Sequence, residues 1–182
     1  QEAILSARPY AEKMLEVLNS LASRVDRDRH PLLKIHESDR NVEVLVITAD
    51  KGLCGSFNIN AIKGAIDFME SVEVGHDIGL NLVGKKASEF FKRRDFRIID
   101  EYIDLFPNVA YEHAMKIGSD IISGYKAANL DAVYIVYNQF VSMISQKVVV
   151  EQLLPIKELE FTREQEFQEG TPLSLEYIYE PH

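Results

Sequence analysis

The residues with the most chemical potential stand together in Ala49–Asn58, where Asp50, Lys51, Gly52, Cys54, Gly55 and Asn58 follow one another. A strand, a glycine loop and a helix in succession can cradle phosphate on backbone amides at the helix N-terminus. The specific fingerprints fail. A P-loop needs G-x-x-x-x-G-K-[S/T], so that the lysine reaches the phosphates and the hydroxyl holds magnesium. Here Lys51 precedes the first glycine, and Gly55 is followed by Ser56 and Phe57. A dinucleotide loop needs G-x-G-x-x-G, whereas Gly52-Leu53-Cys54-Gly55 is only G-x-x-G. A general anion site remains open, and with it a small nucleotide- or phosphate-binding α/β enzyme.

The other candidates are isolated. Cys54 near a helix start could form a stabilised thiolate. No histidine with a local catalytic signature accompanies it, so a packed side chain in a tight loop is expected. Asp50 sits at the C-terminal end of a strand, the usual ligand edge of such sheets. It lacks an acidic or histidine neighbour, which favours a turn or capping role. His30 and His36 lie in a polar loop and are expected to be solvated; His76 and His113 are expected to be structural or solvated. Asp100, Glu101 and Asp104 read as a strand edge rather than a magnesium site. No catalytic set, metal set or cofactor site emerges.

The elements that position these residues follow from periodicity. Val42–Thr48 is apolar toward both faces, as in a strand covered by helices on both sides. Asn58 is placed to cap a helix running to Val72, with Ile59, Ile62, Ala65, Ile66 and Met69 on one face. Ile78–Val83 reads as a second strand and Lys85–Arg94 as a basic helix with Ala87, Phe90 and Phe91 inward. Phe96–Ile103 reads as a third strand. Asn108 is expected to cap a long helix carrying Ala110, Ala114, Ile117, Ile121, Tyr125 and Ala128, with Asn129 ending it. Ala132–Phe140 and Met143–Leu154 complete a five-stranded set. The gap between them is too short for a parallel crossover, so the last strand is expected to be antiparallel. The fold class is α/β, a Rossmann-like, mostly parallel sheet with helices on both faces.

Ahead of this domain, Ile4, Ala7, Ala11, Met14, Leu18, Leu21 and Val25 recur at alternating spacings of three and four, the a/d seam of a coiled coil. Pro9 falls inside the pattern, so a kink or a restart is expected there. The seam needs a partner helix, and no second one of this kind is obvious. The expected division is residues 1–26 for this helix, 27–40 for a linker, 41–156 for the α/β domain and 157–182 for an acidic tail.

The chain has 182 residues and a net charge of −9. An acidic chain without a basic stripe argues against a nucleic-acid partner. From Lys157 onward, Lys157 and Arg163 face Glu158, Glu160, Glu164, Glu166, Glu169, Glu176 and Glu180, so this tail carries −5 of the total. Cys54 is the only cysteine, which leaves no disulfide framework. No apolar run approaches the ~20 residues that span a bilayer.

Five ordered stretches add a resemblance. Ile47–Asn60 (ITADKGLCGSFNIN) closely resembles the ITSDRGLCGxxN segment of the γ subunit of F-type ATP synthases. Arg8-Pro-Tyr-Ala11 resembles the end of that family's N-terminal shaft helix. Tyr134–Phe140 with Ser145-Gln146 resembles its YIVYNKF…SQ hairpin, while Leu153–Pro155 and Tyr177–Pro181 resemble its LLP and YLYEP segments. The resemblance implies a non-catalytic central rotor: a coiled coil inside the α3β3 ring and a Rossmann-like foot near the membrane, coupling c-ring rotation to ATP chemistry in α and β. It implies a fragment lacking most of the two long helices, with no cofactor of its own. The implied partners are the α, β and ε subunits and the c-ring, at the cytoplasmic face of a bacterial inner membrane. By the same resemblance, Tyr177, Tyr179 and Glu180 would meet the c-ring and ε. Gly52, Leu53, Cys54, Gly55 and Asn58 would form a structural or partner-facing loop.

Overall fold

A computed structural model describes residues 2–22, 24–72, 74–105, 109–142 and 145–157. Within these residues five strands form one sheet: β1 (Asn41–Ile47), β2 (Asp77–Val83), β3 (Ile98–Tyr102), β4 (Ala132–Ser142) and β5 (Ser145–Leu154). Their order is β3-β2-β1-β4-β5. The β1–β2, β1–β4 and β2–β3 pairs are parallel, and β4–β5 is antiparallel. The expected sheet and its reversed last strand are therefore present.

Among the described residues four α-helices accompany it: α1 (Glu2–Ala22), α2 (Phe57–Val72), α3 (Lys85–Phe91) and α4 (Tyr111–Lys126). Alternation along β1 divides the core. Val42, Val44 and Val46 join Leu80, Leu82 and Val136 beneath Ile62, Ala65 and Met69 of α2 and Ala87 and Phe91 of α3. Leu45 points the other way, with Val83 and Val133, against Ile121 and Tyr125 of α4. Central β1 is thus buried on both faces, which explains why its sequence shows no polar–apolar alternation.

Several local expectations change. Pro9 lies inside a continuous α1, so the helix does not restart there. Val25 lies in a bend beyond the end of that helix, so the helical seam stops at Leu21. Ile59 is 69% exposed on α2, because the inward face is completed by Ala61 instead. Helix α3 ends at Phe91, and Arg94 folds back with its guanidinium 3.6 Å from the Phe90 ring centroid. Helix α4 starts at Tyr111; the expected cap Asn108 lies outside the described residues. Its first turn is closed by His113, whose Nδ1 accepts from Ala110 N–H at 3.0 Å. Ala110, Ala114 and Ala128 are exposed, and Ala127, not Asn129, is the C-cap. Among the described residues no helix is long and apolar enough to cross a membrane.

Candidate functional site

The loop after β1 is built from bonds among its own chemically promising residues. Asn58 does not cap α2 by its side chain. Its Oδ1 accepts from Ala49 N–H at 2.8 Å, and its Nδ2 donates to the Lys51 carbonyl at 3.2 Å and lies 3.0 Å from Cys54 Sγ. The side chain therefore bridges the loop from within the first turn of the helix that the loop feeds. Cys54 is half-buried against this amide, in keeping with a packing role. Leu53 and Gly55 both adopt left-handed backbone, at φ 60° and 59°. Glycine takes that conformation without penalty, but leucine does not. Leu53 is also fully exposed, at 110% of the reference area. Neither burial nor backbone preference explains a leucine there.

Asp50 is a tie between loops. Its Oδ1 accepts from Lys85 N–H at 2.9 Å, at the start of α3, and from Asp104 N–H at 3.1 Å after β3. Beside it, buried Thr48 accepts from Ala87 N–H at 2.9 Å and donates to the Val83 carbonyl at 3.1 Å. Gly84, at φ 91°, allows this approach, since a Cβ there would collide with the Thr48 carbonyl. The C-terminal edge of the sheet is thereby stitched shut by Thr48, Asp50 and Asn58. The acidic set after it also has protein partners. Glu101 meets Lys92 Nζ at 2.6 Å and accepts from Ser88 Oγ at 2.7 Å. Burial pushes the Glu101 carboxyl upward, but these partners outweigh it and hold the group below the usual carboxylate range. Among the described residues no three His, Cys, Asp or Glu side chains gather to hold a metal.

Two features escape the sequence reading. Glu43 is buried on the α4 side of the sheet with Asn81, whose Nδ2 donates to Oε2 at 2.6 Å. Burial raises the Glu43 carboxyl against the opposing pull of Asn81 and Arg97. The pair borders a cleft of about 340 Å³ shared with Arg97, Tyr102 and Asp120. Second, His36 is not solvated: its ring stacks on Tyr125 at 4.3 Å, and Nδ1 lies 3.4 Å from Asp131 Oδ1. The polar loop sequence gave no sign of this, because both partners come from beyond residue 120. On the expected heptad seam itself, α1 carries an apolar cleft of about 340 Å³ lined by Tyr10, Lys13, Met14, Val17, Leu18 and Leu21. Of the seam residues described here, Ala7, Ala11, Met14 and Leu18 are exposed and Leu21 is half-buried; the side chain of Ile4 lies outside the described set. Tyr177, Tyr179 and Glu180 also lie outside the described residues.

The sequence model of the family described as "ATP synthase" matches residues 1–182. An ATP synthase gamma chain from Pelotomaculum thermopropionicum is 41% identical over 181 residues, covering 100% of this chain and 60% of the relative. One from Geobacter metallireducens is 39% identical over 182 residues, again 100% of this chain and 60% of the relative. The chain thus spans about three-fifths of the length of these relatives. A solved Tetrahymena thermophila mitochondrial ATP synthase, described as "central stalk/cring", contains a chain that superposes with a TM-score of 0.58 at 25% identity. That match covers 76% of this chain and 59% of the other. The full-length family match and the shared sheet agree: this chain belongs to the ATP synthase family, and its relatives there are gamma chains.

Proposed function

We propose that the chain is the foot portion of a rotor stalk, mechanically coupling c-ring rotation to ATP synthesis and hydrolysis in an α3β3 ring while performing no chemistry itself. The observation that carries this reading is α1, whose apolar side chains Met14, Leu15 and Leu18 are exposed along the helix. A second helix laid on that face would bury them, and the gamma-chain relatives are long enough to supply one. The acidic tail, with Tyr177, Tyr179 and Glu180, is assigned to the c-ring and ε. Aromatic anchors beside a carboxylate suit basic polar loops. The Gly52–Asn58 loop is assigned as a surface facing the catalytic ring, because Leu53 is presented outward by a backbone that does not favour it. The assembly would work at the cytoplasmic face of a bacterial membrane, held there through the c-ring.

The phosphate-binding alternative has little in its favour, since Asn58 and Asp50 are already bonded within the protein. Two measurements test the proposal. The full-length chain, co-produced with α, β, ε and c-ring subunits, is expected to restore ATP-driven proton pumping in inverted membrane vesicles of a strain lacking its own gamma chain. Failure to assemble or pump would remove the rotor reading. Titration calorimetry with ATP, ADP and NAD is expected to show no binding; micromolar affinity would favour the enzyme instead.

A further inference from the structure

We propose that the Leu32–Asn41 segment is a torsion-bearing joint between helix α1 and the sheet, with Asp131 as its positioning residue; this rests on the rotor reading above. Among the described residues, helix α1 makes at most marginal contact with the strands and the other helices, and only its last turn, at Asn19 and Ala22, is buried. The connection from Ala22 to Asn41 is therefore the covalent path by which twist in α1 reaches the sheet. A freely flexible connection of that length would act as a soft tether.

The second half of the connection is fixed at successive points. Ile156 N–H donates to the Leu32 carbonyl at 3.0 Å, and Leu33 is buried. Tyr125 OH donates to the Lys34 carbonyl at 2.7 Å, and His36 stacks on the same ring at an interplanar angle of 22°. Asp131 Oδ2 accepts from Ser38 Oγ at 2.9 Å and from Asn41 N–H at 2.8 Å, while Oδ1 faces His36. Asp131 N–H also donates to the Asn41 carbonyl at 2.8 Å. One oxygen of this buried carboxylate thus takes two hydrogen bonds from the connection, while the other lies 3.4 Å from His36 Nδ1. Directional bonds to a buried charge hold one geometry, where an apolar plug would allow sliding. The joint delivers load at Asn41, the first residue of β1, which lies in the middle of the sheet between β2 and β4.

The test uses the purified, complete ATP synthase with Ser38→Ala, Ser38→Thr, Tyr125→Phe or Asp131→Asn in the gamma chain. The catalytic ring is immobilised and arrested with a non-hydrolysable nucleotide, and a bead on the α/β domain reports angular fluctuation. Hydrogen exchange of the 32–41 amides is measured on the same complexes. Ser38→Ala, Tyr125→Phe and Asp131→Asn are expected to broaden the angular distribution and to speed exchange by about tenfold. Ser38→Thr keeps the hydroxyl and is expected to retain the wild-type width. Faster exchange with an unchanged angular width overturns the joint, as does equal broadening by Ser38→Thr and Ser38→Ala. Should Asp131→Asn not assemble, Ser38→Ala and Tyr125→Phe decide the matter on the same two readouts. Failure of the rotor reading would show in the wild-type complex, whereas failure of the joint shows only in the variants.

Discussion

Asn58 and Leu53 occupy the same loop and have opposite energetic signatures. Removing the Asn58 amide leaves the Ala49 N–H and the Lys51 carbonyl without their side-chain partner. Asn58→Ala is therefore expected to cost about 1–3 kcal/mol of unfolding free energy. Leu53 contributes no burial and is held at φ 60°. Leu53→Gly relieves that strain, worth about 1 kcal/mol, and offsets part of it through the looser unfolded chain. The variant is expected to be as stable as wild type, or more so, in denaturant titrations. In the assembled synthase it should nevertheless weaken attachment of the gamma chain to the catalytic ring. Unchanged attachment would remove Leu53 from that surface; a marked loss of stability would mean that the residue has a packing role in the fold.

At the level of elements, two buried carboxylates on the same side of the sheet give opposite pH dependences. Burial pushes Asp131 upward, but Asn41 N–H, the Ser38 hydroxyl and His36 outweigh it, so the group titrates below its ordinary 3.8. Its folded value is depressed, so its stabilising effect is fully present above 3.8 and is lost as pH falls through the lower folded value. Glu43 is raised above 4.5, chiefly by burial. Its favourable contribution is present below 4.5 and is lost as pH rises through the higher folded value. Denaturant titrations across the acid range are expected to show a shallower acid limb for Asp131→Asn. Glu43→Gln should gain stability relative to wild type as pH rises above that limb. The reverse signs would mean that the partners named here do not control these groups. The two residues also show what was legible. The strands and helices were, because β1 displays its double burial and α2 its spacing directly. The roles of His36, Asp131, Glu43 and Asn81 were not, because each is set by a partner distant in sequence. Asn58 lies between these cases: its position beside a helix start suggested a cap, while its shortest bond runs back to Ala49.

For the molecule as a whole, the decisive contrast lies between a sheet covered on both faces and a helix largely bare along one. Met14 is 56% and Leu18 41% exposed on α1, and the gamma-chain relatives extend well beyond the length of this chain. If the remaining length supplies a helix packed on that face, Leu18 is a surface residue in this chain and a core residue in the longer one. Leu18→Glu should then change the stability of the present chain by no more than about 0.5 kcal/mol. In the longer chain the same substitution puts a charge into an apolar seam and removes buried apolar area. A loss of about 2–4 kcal/mol is expected there, read as a fall in melting temperature by circular dichroism at 222 nm. Leu18→Ala, which loses area without adding charge, should fall between the two in the longer chain and be nearly silent in the shorter. Equal effects in both lengths would mean that α1 already has its packing partner within the α/β domain. That outcome would also remove the exposed shaft on which the rotor reading depends.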